Sequence, residues 1–137
     1  MKTSKFARAA LVAAAAVSSL AFAAAPAQAG SERSLSGRDC FQSTDWQGWS
    51  SPSPTVLYLR VRIKDVYRLD LSAGSNQLQW PSNHLINTVR GSSTICSAID
   101  LDLAVSDGAG FTQPLIVKSI RKLTPEEVAA LPKKDRP

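Results

Sequence analysis

The sequence predicts a mainly β protein, a small antiparallel barrel or strongly twisted sheet of about five to six strands with a short C-terminal helix. Three observations carry this prediction. The stretch VLYLRVRIKDVYRLDL at 56–71 alternates apolar and polar side chains with the period of a half-buried strand pair. Clusters of Gly, Ser, Asn and Pro punctuate the chain at 48–54, 73–76, 91–93 and 106–110, leaving strand-length segments between them. One segment near the end, TPEEVAAL, carries helix-start chemistry instead. A sheet of such short strands has exposed edges unless it curls, and the helix is expected to plug the curl.

Residues 1–29 read as a cleaved export leader. Lys2, Lys5 and Arg8 form a basic start, Ala9 to Ala25 an apolar run, and Ala27-Gln28-Ala29 a small-residue site for cleavage between Ala29 and Gly30. No later segment approaches the ~20 apolar residues of a membrane span, so no membrane span is expected. The leader lacks a twin arginine and no cysteine follows the cleavage site, so neither Tat export nor a lipid anchor is expected. The expected location is the periplasm or the medium. Cleavage would remove three of the 16 Lys/Arg and none of the 11 Asp/Glu, leaving 13 against 11, a net charge of +2 rather than the whole-chain +5. That near balance argues against nucleic acid, whose binders carry a basic patch well beyond it.

The small polar residues at 30–38 read as a flexible arm, and a single β-rich domain spans 39–131. A first strand is expected from Cys40-Phe41 to about Trp46, and GWSSPSP at 48–54 reads as a loop on its prolines and serines. In the hairpin that follows, Leu57, Leu59, Val61, Ile63, Tyr67, Leu69 and Leu71 are all odd-numbered, so odd positions must pair with odd ones to make one apolar side. A three-residue connection at Lys64-Asp65-Val66 does this, pairing Ile63 with Tyr67 and Val61 with Leu69. The same register sets Arg60 against Asp70 and Arg62 against Arg68 on the outer side.

Further strands are expected in HLINTVRG at 84–91, TIC at 94–96 and LDLAV at 101–105. The cluster Ser106-Asp107-Gly108-Ala109-Gly110 signals a hairpin into FTQPLIVKSIRKL at 111–123, where Pro114 points to an edge or a bulge. Thr124 is a ready N-cap, Pro125 suits the first helical position and Glu127 completes a capping box, with Val128 and Leu131 placed to dock on the sheet. Residues 132–137 read as a disordered tail.

The chain is poor in catalytic signals. His84 is the only histidine, no G-x-S-x-G element surrounds a serine, and Asp100-x-Asp102 lacks the further ligands of a calcium loop. No catalytic residue, metal ligand or cofactor is assigned. Cys40 and Cys96, an even pair without metal spacing, are expected to form one disulfide in an oxidising compartment; two free thiols are the competing reading. The basic row Arg60, Arg62, Lys64, Arg68 reads first as a solvated hairpin face and second as an anion-contacting surface. Trp46, Trp49 and Trp80 read as core area for the most part, and an exposed one would be a stacking platform for sugars or bases.

Asp39-Cys40-Phe41, Val66-Tyr67-Arg68-Leu69-Asp70-Leu71, Thr94-Ile95-Cys96 and SIRKLTPEEV at 119–128 together resemble a family of small exported Gram-negative bacterial proteins classed only as a domain of unknown function. The resemblance implies two further cysteines in many members, one in the turn after the YRL strand and one just before the final strand. Here those places read Gly74-Ser75-Asn76 and Gln113-Pro114-Leu115, and loss of both together leaves Cys40 with Cys96. The resemblance lends no activity.

The function expected first is a non-enzymatic binding or interaction domain of the bacterial envelope, of a kind that includes inhibitor-like proteins. Its partner would be an unidentified envelope or extracellular protein, met through Arg60, Arg62, Arg68 or Trp80. A small-ligand or anion carrier is the alternative, and a hydrolytic enzyme ranks last.

Overall fold

The computed structural model describes residues 34–137. The leader, its cleavage point and residues 30–33 lie outside the described residues. From Ser34 onward the chain holds eight strands, β1 Phe41–Gln42, β2 Trp46–Ser53, β3 Val56–Val61, β4 Asp65–Ala73, β5 His84–Asn87, β6 Thr94–Ile95, β7 Leu103–Ser106 and β8 Thr112–Lys122, followed by one helix, α1 Pro125–Ala130. Six of the strands form an antiparallel, nearly closed, barrel-like sheet in the order β2-β3-β4-β8-β7-β5, and β1 pairs with β6 beside it. The mainly β prediction with one short C-terminal helix holds.

The parity of the β3–β4 hairpin is as the alternation dictates, and its register is not. Leu57 faces Leu69 and Leu59 faces Tyr67, while Arg60 faces Val66 rather than Asp70. The turn is therefore Arg62-Ile63-Lys64, four positions away in pairing sum from the expected connection. Ile63 sits at its tip, 81% exposed, instead of in the core. Arg62 adopts φ 55, the left-handed region that is unfavourable for a residue with a Cβ. What holds it there is non-local: its N–H donates to Asp45 O at 2.8 Å and its side chain pairs with the Asp45 carboxylate at 3.0 Å.

The GWSSPSP segment is strand, not loop. It forms most of β2, which pairs with β3 by setting Trp46 against Val61, Trp49 against Leu59 and Ser53 against Val56. The prolines fit because β2 is an edge strand whose register slips between Ser50 and Ser53, so Pro52 removes no ladder bond. Ser51 Oγ fills the slip, 2.7 Å from Ser53 O and 2.9 Å from Val56 O.

Inside the barrel, Phe41, Leu57, Leu59, Val61, Tyr67, Leu69, Ile95, Leu103, Val105 and Ile120 are each at most 2% exposed. Phe41 and Tyr67 pack with their rings tilted, 4.7 Å between centres. The helix does not plug this interior. Val128 and Leu131 pack instead on the outer face, over Tyr58, Val66 and Leu123, which makes a second small core from the even-numbered side of the hairpin. α1 starts as its sequence dictates: Thr124 Oγ1 accepts from the Glu127 N–H at 3.3 Å, and the Glu127 carboxylate accepts from the Thr124 N–H at 2.8 Å.

Both expected loose ends are anchored where they are described. Leu35 N–H donates to Cys96 O, Ser34 bridges Ser97, and Leu35 packs on the core. After α1, Lys133–Asp135 form a 3-10 turn, Arg136 donates to Ala129 O at 2.7 Å and Leu131 O at 3.0 Å, and Ser50 Oγ donates to Asp135 O. The C-terminal segment is thus a strap across the outer face.

Candidate functional site

The structure does not gather Arg60, Arg62, Arg68 and Trp80 into one site. Arg62 leaves β3 at one end of the barrel, whereas Trp80 lines grooves with Pro54 and Thr55, which precede β3 at the other. Each arginine has its own surroundings. Arg62 meets Asp45 and, at 3.9 Å, Asp65. Arg68 meets Asp70 at 2.8 Å, and Asp70 also accepts from Ser119 Oγ at 3.0 Å. Arg68 lies directly across from Arg121, whose charge is met by Glu127 at 2.8 Å. Arg60 lies over Gly48, where a Cβ would come within 3.4 Å of its Nη2, and its buried Nε has no hydrogen-bond partner among the described residues. The basic row is therefore broken up: two of its arginines are paired with carboxylates and the face between them is shared with α1.

The Arg62 end is the charged and cross-linked end. Cys40 and Cys96 are bonded, tying the chain before β1 to the end of β6 across a sequence separation of 56. Lys122 at the end of β8 reaches Asp65 at 2.9 Å and Asp39 at 3.5 Å, and the Tyr67 hydroxyl donates to Asp39 O at 2.8 Å. The hydrogen bond to Asp65 holds Lys122 charged to higher pH than usual. Burial pushes the Tyr67 phenol up. A hydrogen bond from Ser36 holds Asp39 below the usual carboxylate range. Asp100 is held low by the N–H of Cys96, aided by Ser97; it caps a 3-10 turn and leaves Asp102 to pair with Arg90. The Asp100-x-Asp102 pair is thus divided between two structural tasks.

The Trp80 end is built differently. Asn76–Gln79 form a 3-10 turn capped by Ser75, whose Oγ accepts from the Gln77 N–H at 3.1 Å and donates to Gln113 Oε1 at 2.6 Å. Buried Asn83 closes the turn from below, donating to Gln77 O at 3.0 Å and Gln77 Oε1 at 2.8 Å. Gly74 brings this segment against the β2–β3 turn so closely that a Cβ there would fall 1.8 Å from Pro54 O. Trp80 follows the turn with 59% of its surface exposed, while Trp46 and Trp49 pack on the core. Two open grooves flank the indole, one of about 390 Å³ bordered by Ser50, Ser51, Gln79 and Lys134, the other of about 470 Å³ bordered by Thr55, Asn76, Gln77 and Gln113. The Trp80 Nε1–H, the Asn76 amide, Gln79 Oε1 and Gln113 Nε2 make no hydrogen bond among the described residues.

A third groove, about 900 Å³ and mostly apolar, runs between the Ala98–Asp100 turn and β8, with Ile99, Ile116 and Lys118 on its rim and Ser34 at one edge. His84 stands exposed at the start of β5, opposite Ser106. Among the described residues no three His, Cys, Asp or Glu side chains gather as a metal site, and no helix is long and apolar enough to cross a membrane.

A family model matches the chain over residues 1–137. The chain belongs to DUF6491, a family of unknown function. No curated protein and no solved structure matches this DUF6491 chain. Sequence reasoning had singled out Trp80 but not Asn76, Gln77, Gln79, Gln113 or Lys134 around it. These come from three separate segments, and the hydrogen bond from Ser75 to Gln113, invisible in the sequence, links the first two.

Proposed function

We propose that the chain is a non-enzymatic binding domain of the bacterial envelope, exported to the periplasm or beyond, and that its binding face is the Trp80 end. The observation that carries this reading is the exposed Trp80 between two open grooves, mounted on a turn that Ser75, Asn83 and Gly74 hold rigid. A large aromatic left outside a core that needs its area is the usual anchor of an interface. A rigid mount limits the entropy lost on binding. The export signal of the sequence and the Cys40–Cys96 bond support an oxidising location. The basic row is the weaker binding face, because Arg62 and Arg68 already hold carboxylates.

The test is a non-reducing capture from an envelope fraction with the mature protein, Trp80→Ala and the triple variant Arg60/Arg62/Arg68→Ala. Envelope material retained by the wild type and the triple variant, but lost with Trp80→Ala, is the expected result. Loss confined to the triple variant would return the binding face to the hairpin.

A further inference from the structure

We infer that the Trp80 end is a carbohydrate site for an extended, uncharged polysaccharide; this rests on the reading of that end as the binding face. The flat indole offers a surface to the C–H face of a pyranose ring, and its edge offers an unused N–H. Apart from Lys134 on one side, the polar side chains on the groove borders are uncharged hydroxyls and amides, which can donate and accept: Ser50, Ser51 and Gln79 on one, Asn76, Gln77 and Gln113 on the other. Sugar hydroxyls, which also donate and accept, are the complement of such a border.

Charge and shape narrow the ligand further. Among the described residues Lys134 is the only charged one bordering either groove, and it borders just one of them. A single-stranded nucleic acid would need a row of cations along its backbone beside the stacking residue, and a sulfated or uronic polymer would need the same. A small apolar ligand would need an enclosed apolar pocket, whereas both grooves are open and polar. Because Trp80 borders both grooves, a chain of rings can continue past the stacked one on either side. The site therefore suits the interior of a polymer rather than its end.

The experiment is native affinity electrophoresis of the full exported protein in gels containing hydroxyethylcellulose, glycol chitin or pullulan. Trp80→Ala, Trp80→Phe and Arg62→Ala run beside the wild type. Retardation in at least one gel is expected, weakened by about tenfold or more in Trp80→Ala, the range set by loss of one stacking contact, and partly kept in Trp80→Phe. Arg62→Ala should be retarded like the wild type. Trp80→Ala should keep the wild-type melting temperature, since its ring is exposed, so a lost interaction is not a lost fold. The inference is overturned by free migration in all three gels or by unchanged retardation of Trp80→Ala. It is also overturned if a salt-sensitive complex with oligo(dT) is the one that Trp80→Ala removes. A protein cross-linked through Trp80 with free migration in every gel would overturn the carbohydrate ligand and leave the binding-domain reading standing. Shortening of the polymer in the gel would overturn the non-enzymatic reading itself.

Discussion

At the Arg62 end of the barrel, Arg62 and Lys122 hold Asp45, Asp65 and Asp39 in contact, and a disulfide ties Cys40 to Cys96. At the Trp80 end the polar side chains are mostly amides and hydroxyls, and among the described residues a single lysine, Lys134, borders one of the two grooves. The first end spends its polar groups on itself. The second keeps its backbone as tightly fixed, through Ser75, Asn83 and Gly74, yet leaves the Trp80 indole and several amide groups unengaged. Rigidity and availability are separable: an end can be well ordered without consuming its own binding capacity.

That contrast can be broken most strongly at the cross-link. Replacing both cysteines by serine should lower stability by roughly 4 kcal/mol for a loop of this length, read as a fall in the urea midpoint with a steeper slope, since the unfolded chain without its cross-link exposes more surface. An unchanged midpoint would mean that the Arg62 end is held without its bond. Next comes Gly74→Ala, at the other end, where a Cβ overlaps the Pro54 carbonyl and the backbone must move. A loss of about 3 kcal/mol is expected by the same measurement, and a neutral result would show that the Trp80 end is softer than its contacts imply.

Titration sharpens the comparison with a smaller effect, because the groups concerned, the buried Tyr67 apart, are partly exposed and screened by solvent. Asp39, Asp100 and Glu127 are held below their ordinary values of 3.8, 3.8 and 4.5, so the stability they add is complete above those values and is lost as pH falls through the lowered ones. Lys122 and Tyr67 are raised above 10.5 and 10.0, so their contribution is complete below those values and is lost as pH rises through the raised ones. Thermal melts should accordingly be flat between about pH 5 and pH 9 and fall on both sides. Smallest of all is Arg62 itself. Arg62→Ala removes an exposed ion pair and should cost about 0.5 kcal/mol, while Arg62→Gly should be the more stable of the two by about 1 kcal/mol, because glycine accepts φ 55 without penalty. Equal melting temperatures for these two variants would show that the turn relaxes when its arginine is lost.

Much of the sheet could be read from the chain, because parity is a local property. Leu57, Leu59, Tyr67 and Leu69 share the inner face as their odd numbers require, and the Thr124-Pro125-Glu127 start of α1 is where the capping chemistry puts it. The hairpin register could not be read the same way. Ile63 looks like the next core residue in the alternation, and what makes it a turn tip is Asp45, far back in the chain, gripping Arg62. The β2 segment misled for a related reason: Pro52 and its serines carry turn chemistry, and only a place on the sheet edge makes them tolerable in a strand. At the candidate site, Trp80 was visible as a residue, but its neighbours were not visible as neighbours.

The arrangement of β8 bears on how the protein comes into being. Its first part, 112–115, is paired to β7, and the rest, 116–122, to β4, so this one strand joins the two halves of the sheet. It follows every other described strand in the chain, and it lies outside the covalent loop closed by Cys40 and Cys96. A chain whose disulfide has formed but whose β8 is unpaired therefore holds two half-sheets, each offering an open edge to any other strand it meets. The sheet therefore closes only once this strand has paired on both sides.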